Sequence, residues 1–305
     1  MSNSPARSVE MIEVESLTKT YGRSKAVADV SFSISRGCAF GLIGPNGAGK
    51  TTLIRMLMGM LSATSGRARV LGFDTAIQAD EVHRKVGYVP ETPTAYRWMT
   101  VAQLIRFCRT FRETWNDELC QSLLQKFGLD PGKKVKHLSK GTQTKLSLLL
   151  ALAFEPELLI LDEPTTGLDP IIREEFLEPV LGAIRDRGCT VLFSSHTIED
   201  VERLADRVGI LLDGRFLVNS SVRDLLSKTR RVRALLGAGC APKVVPEGTI
   251  WQHVDHQEWL LTVAGFTEET LRQLKSSNSV EHVEVVEADL NTLFKDYVKG
   301  QSVMP

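Results

Sequence analysis

The run Gly44-Pro45-Asn46-Gly47-Ala48-Gly49-Lys50-Thr51 fits the spacing G-x-x-x-x-G-K-[ST]. That spacing permits phosphate binding. Glycines let successive backbone N–H groups turn inward around phosphate oxygens, and the start of a following helix adds partial positive charge. Lys50 then reaches the β- and γ-phosphates of ATP, the Thr51 hydroxyl ligates Mg²⁺, and Thr52 completes the nucleotide-binding run. Further along, Asp162-Glu163 closes the apolar run Leu158-Leu159-Ile160-Leu161. Asp162 at that point holds Mg²⁺, and Glu163 faces the γ-phosphate as general base for the attacking water. Asp-Glu-Pro also opens a turn with no chemistry attached, so the acidic pair gains its meaning from the phosphate loop upstream.

These groups need a frame that ends several strands at one level. Residues 39–43 form a compact apolar run directly before the loop, and 53–61 have helical character after it. The runs at 158–161, 190–193 and 208–212 are equally short and apolar, which suits a parallel sheet covered on both faces. Helical segments at 172–187 and 198–206 fit between them in a βαβ plan. Residues 9–17 and 28–34 alternate in part and read as further strands, and Asp213-Gly214 makes a tight turn into 215–218.

The stretch 98–150 differs: helical segments at 101–111, 117–127 and from Gly141 onward read as an insertion within the sheet. After residue 221 the character changes again. A loop at 241–248, strands at 251–254 and 259–263, a helix at 266–274, a strand at 280–286 and a helix at 288–297 predict a small C-terminal α+β domain. The expected plan is a polar tail at 1–9, an α/β ATPase domain at 10–222 with its helical insertion at about 97–150, and an accessory domain at 223–305. His253 and His256 fall where a hairpin turn is expected, and two histidines make a poor metal site.

Lys+Arg and Asp+Glu both number 37, so the formal net charge is zero and no nucleic-acid partner is expected. Five widely spaced cysteines without a CxxC pair read as free thiols of a reducing compartment. The densest apolar stretch, 146–154, is broken by Ser147 and falls short of the ~18–20 residues a membrane-spanning helix needs. The first ten residues lack the apolar core of a secretion signal. These features predict a cytoplasmic chain, with any membrane part in another polypeptide.

Three further segments complete an ordered set. Leu138-Ser139-Lys140-Gly141-Thr142-Gln143 opens a helix before Asp162, Thr166-Gly167-Leu168-Asp169 follows it, and Ser195-His196 ends the next strand. In this order they resemble the signature, D-loop and switch histidine of ABC ATPases, over residues 10–220. The resemblance implies a P-loop NTPase fold: a RecA-like core, an antiparallel β-subdomain and a helical subdomain. It also implies two domains paired head to tail around two ATPs. Ser139 and Gly141 of one chain then bind the nucleotide held by the other's phosphate loop, and Asp169 makes contacts across the dimer. Tyr21 matches the adenine-stacking position and otherwise reads as a half-buried tyrosine at a strand end. His196 matches the γ-phosphate contact and otherwise reads as a satisfied histidine.

The implied partners are a separate transmembrane permease, which would hold the chain on the inner face of the cell membrane, and a second copy or a paralogous ATPase. Glu91, Lys140 and the C-terminal extension resemble the ABC-2 branch, which often exports its cargo. Two residues depart from the commoner family pattern. Glu91 stands where glutamine is usual and still offers Mg²⁺ an oxygen ligand. Lys140 replaces the first glycine of the signature pair and either faces ATP or points to solvent. Tyr96, Trp98 and Met99 lie where the family receives its permease, as interface anchors or as core of the helical subdomain. A soluble ABC ATPase acting on nucleic acid or ribosomes is the alternative. Such proteins usually carry coiled coils, zinc insertions or two cassettes in one chain.

Overall fold

The computed structural model describes residues 9–301 except 94, 238–240, 243 and 278. Most of the expected polar tail, Thr94 and Cys240 therefore lie outside the described residues. The chain divides into two compact units, one ending at Asn219 and the other beginning at Ser220.

The first unit opens with β1 (Glu10–Tyr21) and β2 (Ser24–Ser35), which form an antiparallel hairpin interrupted by bulges. Next come β3 (Ala39–Ile43), α1 (Lys50–Leu57), β4 (Ser65–Val70), β5 (Phe73–Asp74), α2 (Ala79–Lys85) and β6 (Val86–Val89). Three helices follow: α3 (Val101–Arg109), α4 (Asp117–Lys126) and α5 (Lys140–Leu152). The chain then returns as β7 (Leu158–Leu161), α6 (Pro170–Arg187), β8 (Thr190–Ser195), α7 (Ile198–Leu204), β9 (Arg207–Leu212) and β10 (Arg215–Ser221).

Two sheets result. One has the order β2-β1-β4-β5; the other, six-stranded, runs β10-β9-β3-β8-β7-β6. Pairing is parallel from β9 through β3, β8 and β7 to β6. Strands β3 and β7 are buried at every position, as a sheet covered on both faces requires. The β7–β8 register sets Leu161 against Phe193, so Asp162 and Ser194 are the next residues out at one edge. Strand β3 ends there too, between β8 and β9. Loops leaving this carboxyl edge therefore converge, the usual place for a ligand in an open α/β sheet. Asp213 and Gly214 both have positive φ, 47° and 74°, in the tight turn from β9 to β10.

The second unit contains α8 (Val222–Lys228), β11 (Thr229–Leu236), β12 (Thr249–Asp255), β13 (Glu258–Ala264), α9 (Glu268–Ser276), β14 (Val280–Val286) and α10 (Leu290–Gln301). Its sheet has the order β12-β13-β11-β14. The sequence reading omitted β11, an interior strand. Arg230, Arg231 and Arg233 obscure its apolar alternation, yet Val232, Ala234 and Leu236 join Trp259, Leu261, Val263 and Leu274 in the unit's core. His256 sits in the turn between β12 and β13 with φ 52°, in keeping with the expected hairpin.

Cys38, Cys108, Cys120 and Cys189 are free thiols. Among the described residues no helix is long and apolar enough to cross a membrane.

Gly300 on α10 meets the backbone of β12 so closely that a Cβ there would overlap the Ile250 carbonyl oxygen. Gly300→Ala is expected to destabilise the second unit by about 1–3 kcal/mol through forced displacement of helix from strand. Urea unfolding followed by tryptophan fluorescence, to which buried Trp259 of this unit contributes, checks this; an unchanged midpoint would contradict the close packing.

Candidate active site

The loop after β3 places two glycines in left-handed backbone, Gly47 at φ 83° and Gly49 at φ 106°. A Cβ on Gly49 would overlap the Ala26 carbonyl, so that position requires glycine both for conformation and for space. Helix α1 begins at Lys50, with Gly49 as its N-cap. Its first-turn N–H groups are thereby aimed at the loop, as anion binding requires.

Lys50 is buried and bends back over the loop. Its ammonium donates to the carbonyls of Gly44 at 2.6 Å and Pro45 at 3.1 Å, and pairs with Glu163 Oε1 at 3.0 Å. The other oxygen of Glu163, Oε2, accepts from the Thr166 hydroxyl at 2.9 Å and lies 2.6 Å from His196 Nδ1. A carboxylate only accepts here, which assigns the proton of that last contact to Nδ1. Burial alone would raise the Glu163 carboxyl. Hydrogen bonds from His196 and Lys50, the Lys50 charge and the bond from Thr166 outweigh it and hold the group below the ordinary glutamate range.

Asp162 is arranged differently. Its Oδ1 accepts from Thr51 Oγ1 at 3.0 Å and from Ser194 Oγ at 2.9 Å. Burial pushes its carboxyl up, the two hydroxyls oppose this, and the charges of Glu91 and Glu163 reinforce it, leaving Asp162 above the ordinary aspartate range. Among the described residues no cation pairs with this buried carboxylate, and a bound cation would relieve its negative charge. Among the described residues no three His, Cys, Asp or Glu side chains group as a metal site. Mg²⁺ is commonly held by one or two protein oxygens together with substrate phosphates. Thr51 and Asp162 would hold it, with Glu91 as a further oxygen donor.

These groups surround a cavity of about 380 Å³ lined by Ala26, the loop and helix start from Asn46 to Thr52, Glu91, Glu163, Thr166 and His196. The structure thus gathers Lys50, Thr51, Glu91, Glu163 and His196 around one space, with Asp162 bonded behind Thr51. Tyr21 stands at the end of β1, 52% exposed, with Lys19 Nζ 5.2 Å from its ring centre. It is more open than a half-buried strand-end tyrosine and does not line the cavity.

Ser139, Gly141 and Asp169 form a second group. Ser139 caps α5 by accepting from Thr142 N–H, and Asp169 caps α6 by accepting from Ile172 N–H at 3.0 Å. A Cβ on Gly141 would stand 3.0 Å from Ile172, so the two helix starts are packed together. Of the residues expected to receive a permease, Tyr96 and Trp98 are exposed, whereas Met99 is only 8% exposed and belongs to the core.

Sequence reasoning missed Ser194. It donates to Asp162 Oδ1 and accepts from Glu163 N–H at 2.9 Å, joining the two acidic residues from the neighbouring strand. The polar end of an otherwise apolar strand was the visible signal; the register that sets it beside Asp162 was not. Thr166 was placed in its motif without its bond to Glu163.

A phosphate loop between β3 and α1, with an acidic pair ending a parallel strand one position removed, defines the P-loop NTPase fold. Residues 27–166 match the family model described as ABC transporter. The linearmycin resistance ATP-binding protein of Bacillus subtilis is 33% identical over 285 residues, 92% of this chain and 84% of that protein. The Nod factor export ATP-binding protein I of Rhizobium etli is 37% identical over 222 residues, 71% of this chain and 70% of that protein. A solved structure of an ATP-binding subunit of an ABC transporter superposes with a TM-score of 0.66 at 30% identity, covering 71% of this chain and 92% of that one. The chain belongs to the ABC transporter ATP-binding protein family.

Ser194→Ala leaves the buried Glu163 N–H without its acceptor. A loss of about 1–3 kcal/mol in unfolding free energy is expected. Equilibrium urea denaturation measures it, and a wild-type value would show that the bridge between Asp162 and Glu163 carries no weight.

Proposed function

We propose that this chain binds and hydrolyses Mg-ATP and so powers a transporter, with Glu163 as general base, His196 orienting it and Lys50 holding the phosphates. The observation that carries the reading is the closed set of contacts Lys50–Glu163–His196 beside the phosphate loop. Lys50 lies 3.0 Å from the Glu163 oxygen that a base must have available. A phosphate group in the loop offers Lys50 better acceptors than the carbonyls of Gly44 and Pro45. As Lys50 turns to it, Glu163 loses its nearest positive charge and its proton affinity rises toward that of a working base. His196 and Thr166 keep Oε2 engaged, so Oε1 is the oxygen released to a water. Mg²⁺, when bound, supplies positive charge against the phosphate oxygens.

The second group of residues supports head-to-tail pairing. Ser139 is exposed at the start of α5, with Gly141 buried just behind it against Ile172, and neither lines the chain's own phosphate cavity, so this helix start is open to a partner's nucleotide. The partner would be a second copy or a paralogous ATPase.

A separate permease is the proposed membrane component, which would place the chain on the inner face of the cell membrane. A groove of about 660 Å³ supports this. Its lining includes Met60, Tyr88, Tyr96, Phe107 and Phe111, with Arg55 and Arg112 among its polar members. Exposed Trp98 lies beside Tyr96, their ring centres 6.1 Å apart. Export is the favoured direction, since the names of the Bacillus and Rhizobium relatives refer to resistance and export.

Glu163→Gln is expected to keep ATP binding, lower hydrolysis by roughly 10²–10⁴-fold and accumulate an ATP-bound dimer on gel filtration. Hydrolysis at the wild-type rate would show that Glu163 is not the base. Glu91→Gln retains an oxygen ligand and removes a charge near Asp162. Turnover within about threefold of wild type is expected, because a neutral amide oxygen keeps a place in an oxygen-ligand set. A steady-state Mg²⁺ titration checks this; collapse of turnover at saturating Mg²⁺ would assign Glu91 a task beyond ligation.

A further inference from the structure

Lys140 is the first residue of α5, so its charge sits at the positive end of the helix dipole, where a cation is disfavoured. A residue that breaks a local rule at a functional segment calls for a compensating contact. Here the ammonium reaches out of the helix and donates to the Thr166 carbonyl at 2.9 Å. Gly167 follows with φ 73°, and a Cβ on it would stand 3.5 Å from Lys140 Nζ. The lysine therefore lies against the turn that leads from Glu163 to Asp169.

Thr166 links that contact to the site. Its carbonyl takes the bond from Lys140, while its hydroxyl donates to Glu163 Oε2 at 2.9 Å and lies 3.5 Å from His196 Nδ1. Its N–H also donates to the Glu163 carbonyl at 3.2 Å. Glu163 is itself held at φ 47°, a left-handed conformation that a non-glycine residue keeps only when its surroundings impose it.

We infer that Lys140 is a positioning residue for the hydrolytic carboxylate of its own chain: it pins Thr166 and, through Thr166, sets Glu163 and His196. The inference rests on the ATPase reading above. There, Ser139 and Gly141 on either side of Lys140 serve the nucleotide held by the partner chain. Lys140 then ties the segment that serves one nucleotide to the carboxylate that acts on the other.

Two measurements test this. In the nucleotide-free full-length monomer, the His196 ring cross-peak in a ¹H–¹³C spectrum is expected to shift in Lys140→Ala and to return toward wild type in Lys140→Arg, which keeps a donor. An unmoved cross-peak in Lys140→Ala overturns the proposal. In a mixed dimer of a Lys140→Ala chain with a Glu163→Gln chain, hydrolysis is confined to the phosphate loop of the Lys140→Ala chain. Turnover is expected roughly threefold to tenfold below that of wild type paired with Glu163→Gln, with the KM for ATP little changed. Equal turnover would mean that Lys140 serves only the partner's nucleotide, and would overturn the proposal. If Glu163→Gln alone forms no ATP-dependent dimer, the pairing itself fails. The His196 measurement, which needs neither nucleotide nor partner, then decides the question by itself.

Discussion

Lys50 and Glu163 form an ion pair at 3.0 Å, with side chains only 5% and 9% exposed. Removing two charges from water to this degree costs several kcal/mol per ion, and the attraction offsets it only where the remaining donors and acceptors are satisfied. Here they are. Gly44 and Pro45 carbonyls take the other lysine protons, and Thr166 and His196 take the other carboxylate oxygen. Such a pair contributes little to stability as a pair. In the function proposed above, it would hold a phosphate-binding cation and a proton acceptor against each other until better acceptors separate them. The proposed hydrolysis depends on that exchange.

The frame makes the exchange local. Strands β3, β7 and β8 are buried at every position and pair in parallel, and their registers bring their carboxyl ends to one edge. From that edge come the phosphate loop, Asp162-Glu163 and Ser194-Ser195-His196. A buried network ties the loop after Glu163 to the helix after His196: Asp200 accepts from Thr165 at 2.7 Å and from Arg173 at 2.7 Å. Helices α6 and α7 thereby brace the loop after Glu163 from behind.

What was legible in the sequence was what is local in the chain. The phosphate loop announces itself because backbone geometry dictates its glycines, and β3 and β7 do so because a doubly covered strand is apolar throughout. Partnerships across the sheet were not legible. Ser194 meets Asp162, and His196 meets Glu163, only through the β7–β8 register. Strand β11 was hidden by its three arginines, whose chemistry reads as surface although their neighbours build a core. The sequence left Trp98 and Met99 open between interface anchor and core, and packing divides them: Met99 is buried and Trp98 exposed. Lys140 was read as facing ATP or solvent, and its bond to the Thr166 carbonyl is a third course that no local pattern records.

The most direct test of the central claim is the separation of Lys50 Nζ and Glu163 Oε1 in a crystal structure with a non-hydrolysable ATP analogue and Mg²⁺ bound. The 3.0 Å contact is expected to open, with the ammonium on phosphate oxygens and a water on Oε1. A nucleotide seated in the loop with Lys50 still bonded to Glu163 at hydrogen-bond distance would contradict it.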